Sequence, residues 1–401
     1  MILCKKIILL YIFLIIFSLG IFTIYLYADG TTGTSGATFL EIGTGSRPLG
    51  MGEAFTAATE DVHSLYYNPA GIATLKYPVL SVMHQELIMD SRYENISFAF
   101  PLYNGFLAGS NSTFWVPPFD KIDENGNETG TVQYYNTCTT LGYGQSLGFI
   151  EVGGSAKYIY QRIDTLKLHS AAADLGILKR MYMFSPFEAP IRNFAIGLAI
   201  QNLGSNAKKD PLPRLLRLGL SYYLTDWLSF NIDFIENAID SSDLVDFTSG
   251  FNESFRINTG IELMYKEILF LRAGYRFNDA GTYSFGTGFN YAIGNVSFIL
   301  DASYSDSGPF GGNYSFNITF KLIPKVITKE DERKSEEHYK RGIKLYIADD
   351  IDSAIQEFKS AKDFDPYHKN VKQKIKDLEE LKELKKEHEE LNKVVPDIKT
   401  R

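Results

Sequence analysis

Between Pro78 and Ile323 the chain alternates apolar and polar residues with a period of two. In 313–322, Tyr314, Phe316, Ile318, Phe320 and Leu322 interleave with Asn313, Ser315, Asn317, Thr319 and Lys321. The period recurs in 150–160, 257–265, 269–277, 283–291 and 296–304. Successive side chains of a strand point to opposite faces, so this pattern predicts strands with one greasy face. Fourteen strand-sized segments follow one another: 79–90, 92–101, 104–115, 132–146, 148–163, 168–180, 192–202, 213–224, 226–236, 253–265, 267–278, 282–292, 294–305 and 312–323. Many are only one to three residues apart, as at Leu147-Gly148 and Gly294-Asn295, which predicts antiparallel hairpins. Residues 117–131 and 239–251 read as longer loops.

Which medium the greasy face meets decides the architecture. In a soluble sandwich it is the core; in a transmembrane barrel it meets lipid and the polar face lines the lumen. Ten-residue segments suit tilted membrane-crossing strands, and short turns alternate with longer loops. Apolar positions near strand ends are often aromatic (Tyr158, Tyr160, Tyr222, Phe277, Tyr291, Tyr304), as an interfacial girdle requires. The opposite face carries Arg217, Gly219, Glu262, Arg272, Gly274 and Arg276, which suit a wet interior. The expectation is an all-β transmembrane barrel of about fourteen strands at 78–324; a soluble sandwich is the alternative.

Composition agrees. Tyr, Phe and Gly number 25, 29 and 33, and the net charge of -8 argues against nucleic acid as a partner. Lys5-Lys6, an apolar run from Ile7 to Tyr27 and the small exit Ala28 read as a signal peptide over 1–28, with a retained membrane anchor as the competing reading. Cys4 lies in that leader and leaves Cys138 alone, so a disulfide framework and a cysteine zinc site are excluded. From Lys329 onward the character changes: 37 of the last 73 residues are charged, which marks 325–401 as a separate helical tail.

Ahead of the strands, residues 47–71 read RPLGMGEAFTAATEDVHSLYYNPAG, too broken for a strand and too apolar for an ordinary exposed loop. With Ala37-Thr38-Phe39-Leu40 and Gly45-Ser46 upstream, the motif residues Arg47, Gly50, Met51, Gly52, Asp61, Asn68, Pro69, Ala70 and Gly71 resemble the N-terminal signature of PorV/PorQ-type outer-membrane proteins. These belong to a wider FadL-like set that includes spirochaetal members. Glu53 departs from the pattern, which more usually has a small residue there. The likeness spans 36–323, its sharp part 37–75. It implies that 29–77 plugs the barrel lumen and that the protein handles a hydrophobic ligand, such as a long-chain fatty acid, across the outer membrane of a diderm bacterium. It also points to a lateral exit near a strand kink, here sought between Asn104-Gly105 and Pro117-Pro118. Ala54, Phe55, Ala57 and Ala58 are candidates for a short helix on the wall, and Asn68-Pro69-Ala70-Gly71 also reads as a simple turn into the first strand.

In the tail, Gly342, Tyr346, Ala354, Phe358, Ala361 and Pro366 stand close to the spacing of one tetratricopeptide repeat over 335–368, followed by a further helix. An even strand count with a periplasmic N-terminus places both termini in the periplasm, where such a repeat would recruit a protein. That opens the rival reading of a non-transporting accessory of a secretion or envelope machine. Chemistry is not in view. The six histidines lack metal spacing, 123–127 is a poor calcium loop, and no nucleophile elbow or phosphate loop occurs, so no enzyme, metal or cofactor is expected.

Overall fold

The computed structural model describes residues 36–58, 60–185, 187, 192–204, 211–237, 255–277, 282–306, 308, 311–323, 329–366 and 368–394. The leader at 1–28 and the loop at 239–251 lie outside them. Fourteen strands form one closed antiparallel barrel: β1 Val79–Glu86, β2 Arg92–Leu102, β3 Gly105–Ile122, β4 Glu128–Ser146, β5 Glu151–Ile163, β6 Leu166–Met181, β7 Phe194–Gly204, β8 Leu215–Thr225, β9 Leu228–Asn237, β10 Phe255–Tyr265, β11 Leu269–Phe277, β12 Thr282–Ile293, β13 Val296–Asp306 and β14 Gly312–Leu322. Each pairs with the next, and β1 closes on β14 with Val79 opposite Lys321. The chain enters β1 and leaves β14 at the same end, called here the near end; the turn joining β1 to β2 marks the far end.

The sidedness decides the solvent. Leu218 is 41% exposed while its neighbour Arg217 is 2% exposed. The same inversion holds elsewhere: Ile196, Leu198, Phe316 and Ile318 face outward, and Ser221, Asn231, Asp233 and Asn317 face in and are buried. A soluble sandwich would do the reverse, so the outer surface fits hydrocarbon and the polar set lines a lumen. Aromatic clusters flank the belt. Tyr304 lies tilted 5.3 Å from Tyr314 toward the far end, and Phe289 stacks 6.4 Å from Tyr291 toward the near end.

Two expectations change. The supposed loop at 117–131 is mostly strand: β3 and β4 run past the barrel rim and turn only at 123–127, where the Asp123 carboxylate accepts the backbone N–H groups of Asn125 and Asn127. Pro117 and Pro118 do not end β3; they sit at a bulge between Val116 and Phe119, beyond the last pair with β2, where a missing donor breaks little. The wall from Gly105 to Trp115 is continuously paired on both sides, so no gap opens there. A second bulge lies between Ala173 and Leu175 of β6, opposite Asn202 of β7, whose φ is 59°.

The tail is a compact unit of its own. Its helices are α3 Lys329–Ile347, α4 Ile351–Phe364 and α5 Lys369–Val394, numbered after two short helices of the N-terminal segment, α1 Ser46–Gly50 and α2 Ser64–Tyr67. Ile351, Ala354, Ile355, Phe358, Ala361, Val371 and Leu378 form its core, with Tyr339 and Ile343 against them. Gly342 admits the Phe358 ring, since a Cβ there would lie 2.7 Å from a ring carbon. Pro366 follows the end of α4. Tyr346 departs from its expected packing place. It falls in the last turn of α3, is 39% exposed, and lies under the Lys374 ammonium of α5 instead of between α3 and α4.

Replacing outward Leu218 by Arg should cost about 2–4 kcal/mol in a bilayer. Urea titration of the barrel in lipid vesicles checks this, and an unchanged midpoint would contradict contact with lipid.

Candidate functional site

The segment ahead of β1 threads the lumen from end to end. At the far end the Gly36 N–H donates to the Pro211 carbonyl at 2.8 Å, and Arg256 donates to the Glu41 carboxylate at 3.1 Å. A 3-10 turn, Thr38–Glu41, places Phe39 and Leu40 among Cys138, Ile159, Ala172 and Leu212. The chain then passes α1, crosses the middle, passes α2 and a second 3-10 turn, Pro69–Thr74, and reaches the near end. There Ile72 and Leu75 pack on Ala99, Phe106 and Ala108.

Glycines make this fit possible. A Cβ on Gly50 would lie 2.8 Å from the Cα of Gly286 in β12, and one on Gly260 would lie 2.5 Å from the Met51 carbonyl oxygen. A side chain on Gly274 would collide with the backbone of Gly52, on Gly153 with Pro69, on Gly197 with Thr56 and on Gly176 with the Asn68 amide. A glycine inside a strand weakens it, and here each one marks a close approach of the plug, through its backbone in every case but Gly176. Gly52 itself has φ 62°, which a glycine adopts without strain.

Polar side chains then fix the register. The Arg47 guanidinium donates two hydrogen bonds, of 2.9 and 2.8 Å, to the Glu262 carboxylate. Arg272 donates to Glu262 at 2.7 Å and to Asp301 at 2.7 Å, while Arg47 also reaches Asp61 at 3.4 Å. Charge thus alternates along Asp61, Arg47, Glu262, Arg272 and Asp301, so each buried charge is paired. Burial alone would raise the Asp61 pKa. The His63 ring at 2.9 Å and the Arg47 guanidinium hold it well below the usual carboxylate range. Across the lumen, one Asp233 oxygen accepts the Phe55 N–H at 3.0 Å, the Thr56 N–H at 2.9 Å and the Thr56 hydroxyl at 2.6 Å. Asn68 accepts from the Ala70 N–H at 3.1 Å and donates to the carbonyls of Thr56 and Ile177 at 2.9 and 3.2 Å. It is at once a turn residue and a tie to β6. Met51, Pro69, Ala70 and Gly71 are buried beside it in the lumen.

The structure thus brings all nine motif residues into the lumen, though not through the expected helix at 54–58. That stretch is turn: Gly52 and Glu53 (φ 62°) break any helix, and Asp233 takes the freed donors. Glu53, the departure from the family pattern, accepts from Arg276 at 2.9 Å. Sequence reading passed over Asp233 and Gln201. Asp233 was findable as a carboxylate on the non-greasy face of SFNIDFIEN. Gln201 donates to the Tyr66 carbonyl and accepts from Arg217 at 2.8 Å, and it carried no signal.

Fold and lumen together define a plugged barrel of the FadL-like class. The chain belongs to the Uncharacterised protein family UPF0164, whose model matches residues 30–311, ending just before β14. A UPF0164 protein of Treponema pallidum (strain Nichols) is 23% identical over 327 residues, covering 76% of this chain and 74% of that one. Among solved structures, the Pseudomonas putida toluene transporter TodX is similar with a TM-score of 0.50 at 11% identity, covering 70% of this chain and 98% of that one. The Ralstonia pickettii toluene transporter TbuX has a TM-score of 0.49 at 12% identity, with coverages of 70% and 98%. At these identities the likeness concerns the fold.

Gly274→Val should dislodge the plug and raise single-channel conductance in planar bilayers, whereas Gly154→Ala, with ordinary space around its Cβ, should not. Asp233→Ala leaves three donors unpaired, at about 1–3 kcal/mol for a buried unmet group. Amide exchange over 52–58 should accelerate; unchanged protection would mean the carboxylate is no tie. Because the folded Asp61 pKa is depressed, its contribution is present above the unfolded value of about 3.9 and is lost only as pH falls through the folded value. Wild-type conductance should stay low from neutral pH down to about pH 4. Asp61→Asn should raise it throughout, and opening of the wild type near neutrality would assign control to another group.

Proposed function

We propose that this protein is an outer-membrane barrel that passes a hydrophobic small molecule, of which a long-chain fatty acid is one example, with residues 29–77 as its plug. The observation that carries this reading is the pair of apolar zones at opposite ends of the lumen. Each is built half from the wall and half from the plug: Phe39 and Leu40 on Cys138, Ile159 and Ala172, and Ile72 and Leu75 on Ala99 and Phe106. A greasy solute moving between them needs the plug to yield. Likeness in fold to the toluene transporter TodX supports the class of solute. The leader at 1–28 is read as a cleaved signal peptide, and the end where β1 begins and β14 finishes as periplasmic, as the resemblance to PorV/PorQ-type proteins implies.

Saturable binding of radiolabelled oleate or toluene by the purified barrel in nanodiscs is the expected result. No saturable uptake of either by proteoliposomes would sink the transport reading.

A second reading has one observation in its favour. The tail keeps Ile347 and Leu384 exposed at 78% and 62%, beside a complete core of its own. In this reading the unit acts as a tetratricopeptide-like dock in the periplasm for a protein of an envelope machine. Ile347→Asp with Leu384→Asp should abolish capture of that partner by the full-length protein while leaving solute uptake intact.

A further inference from the structure

The wall beside the far-end apolar zone holds a side chain whose chemistry is unspent. Asn136 of β4 is fully buried, and neither its amide nitrogen nor its amide oxygen has a hydrogen-bond partner. It stands on the inward face, two residues from Cys138, opposite Phe114 of β3 and Gln161 of β5. Cys138 faces Ile159, and Ile159 in turn faces Ser170 of β6, whose buried hydroxyl is also unpartnered. Buried amides are nearly always bonded, and an unmet one costs free energy with nothing returned inside the fold. Nothing in the packing requires an amide here, since an apolar side chain of the same size would fill the place.

Charge is the second constraint. Lys157, the inward cation of β5 on this side, is 2.8 Å from Asp174 and 2.7 Å from the Asn202 amide oxygen, so its charge is already met. Arg256 is engaged with Glu41 and Asn237. Lys157 and Arg256 therefore already have their counter-charges, while Arg214, two residues from Leu212, keeps a buried Nε without a hydrogen-bond partner. A small cavity, about 20 Å³, adjoins at Leu40, Cys138, Thr140 and Lys157, room for one water-sized group.

We infer that the far-end zone of the lumen recognises an amphiphile with an uncharged head that both donates and accepts, a long-chain alcohol or primary amide, through the Asn136 amide, with Ser170 beside it. This rests on the transport reading above and narrows its substrate class. The apolar body of the ligand takes the place of Phe39 and Leu40 against Ile159, Ala172 and Leu212. A hydroxyl head gives its proton to the Asn136 oxygen and accepts from the Asn136 nitrogen, so both orphaned atoms are met. A carboxylate has no proton to give to that oxygen, which would stay unmet, so it is disfavoured at Asn136.

The test compares oleyl alcohol and oleate as radiolabelled probes on the full-length protein in nanodiscs at about pH 9, where the acid is ionised. The wild type should bind the alcohol at least about tenfold more tightly than oleate, and Asn136→Leu should weaken the alcohol by about tenfold while leaving oleate unchanged. Ligand-free Asn136→Leu should unfold at the same temperature as the wild type or higher, because it removes an unmet amide; a lower midpoint would make Asn136 a structural residue and overturn the inference. Preference for oleate, or indifference of alcohol binding to Asn136→Leu, overturns the inference and leaves the transport reading standing. Binding of neither probe overturns the inference, and the transport reading falls with it only if toluene is not taken up either.

Discussion

Backbone lies directly on backbone inside this barrel. The wall offers glycines where the plug passes, at Gly153, Gly176, Gly197, Gly260, Gly274 and Gly286, and the plug answers with Gly50 and Gly52. Everything else follows from that closeness. Carbonyls and amides of the plug come within reach of Asp233, Gln201 and Asn68, and Arg47 can reach Glu262 without a bridging water. A lumen of fourteen strands is too wide for wall side chains alone to fill. Here main chain does part of the filling, at the expense of strand propensity in the glycine-bearing strands.

The polar contacts have a different role. Most of the lumen charges are paired across the plug–wall boundary or along the wall, so the interior carries little unbalanced charge despite its density. Breaking one member leaves another buried and unpaired, which is why such chains act as a lock with several levers. The apolar zones at the two ends interrupt this lock, and they are where a greasy molecule meets the least resistance.

Much of this was legible in the chain. Fourteen strand-sized segments could be counted, and in six of them strict alternation left no other register once one face was greasy. The nine motif residues stood out through the resemblance to PorV/PorQ-type proteins, and of them the glycines and Asn68-Pro69 are also backbone statements in their own right. The extension of β3 and β4 was hidden by Pro117 and Pro118, which normally stop a strand and here sit past its last neighbour. The turn at 54–58 was hidden because alanines favour helix and only the distant Asp233 decides otherwise. Tyr346 was misplaced because spacing locates a face of a helix but not which neighbour lies over its last turn. Asn136 reads in the sequence as one more polar lumen residue; its lack of partners is a property of the packing alone.

The plug is covalently continuous with β1, and β1 meets β14 at the seam that joins residue 79 to residue 321. Threading a folded segment through a shut cylinder is not available to the chain. The order of assembly is therefore constrained: the leading residues are already cradled by the curved sheet when its two outermost strands zip together. Plug and cylinder are two parts of a single folding event, and a chain that loses its leading segment has to close around water.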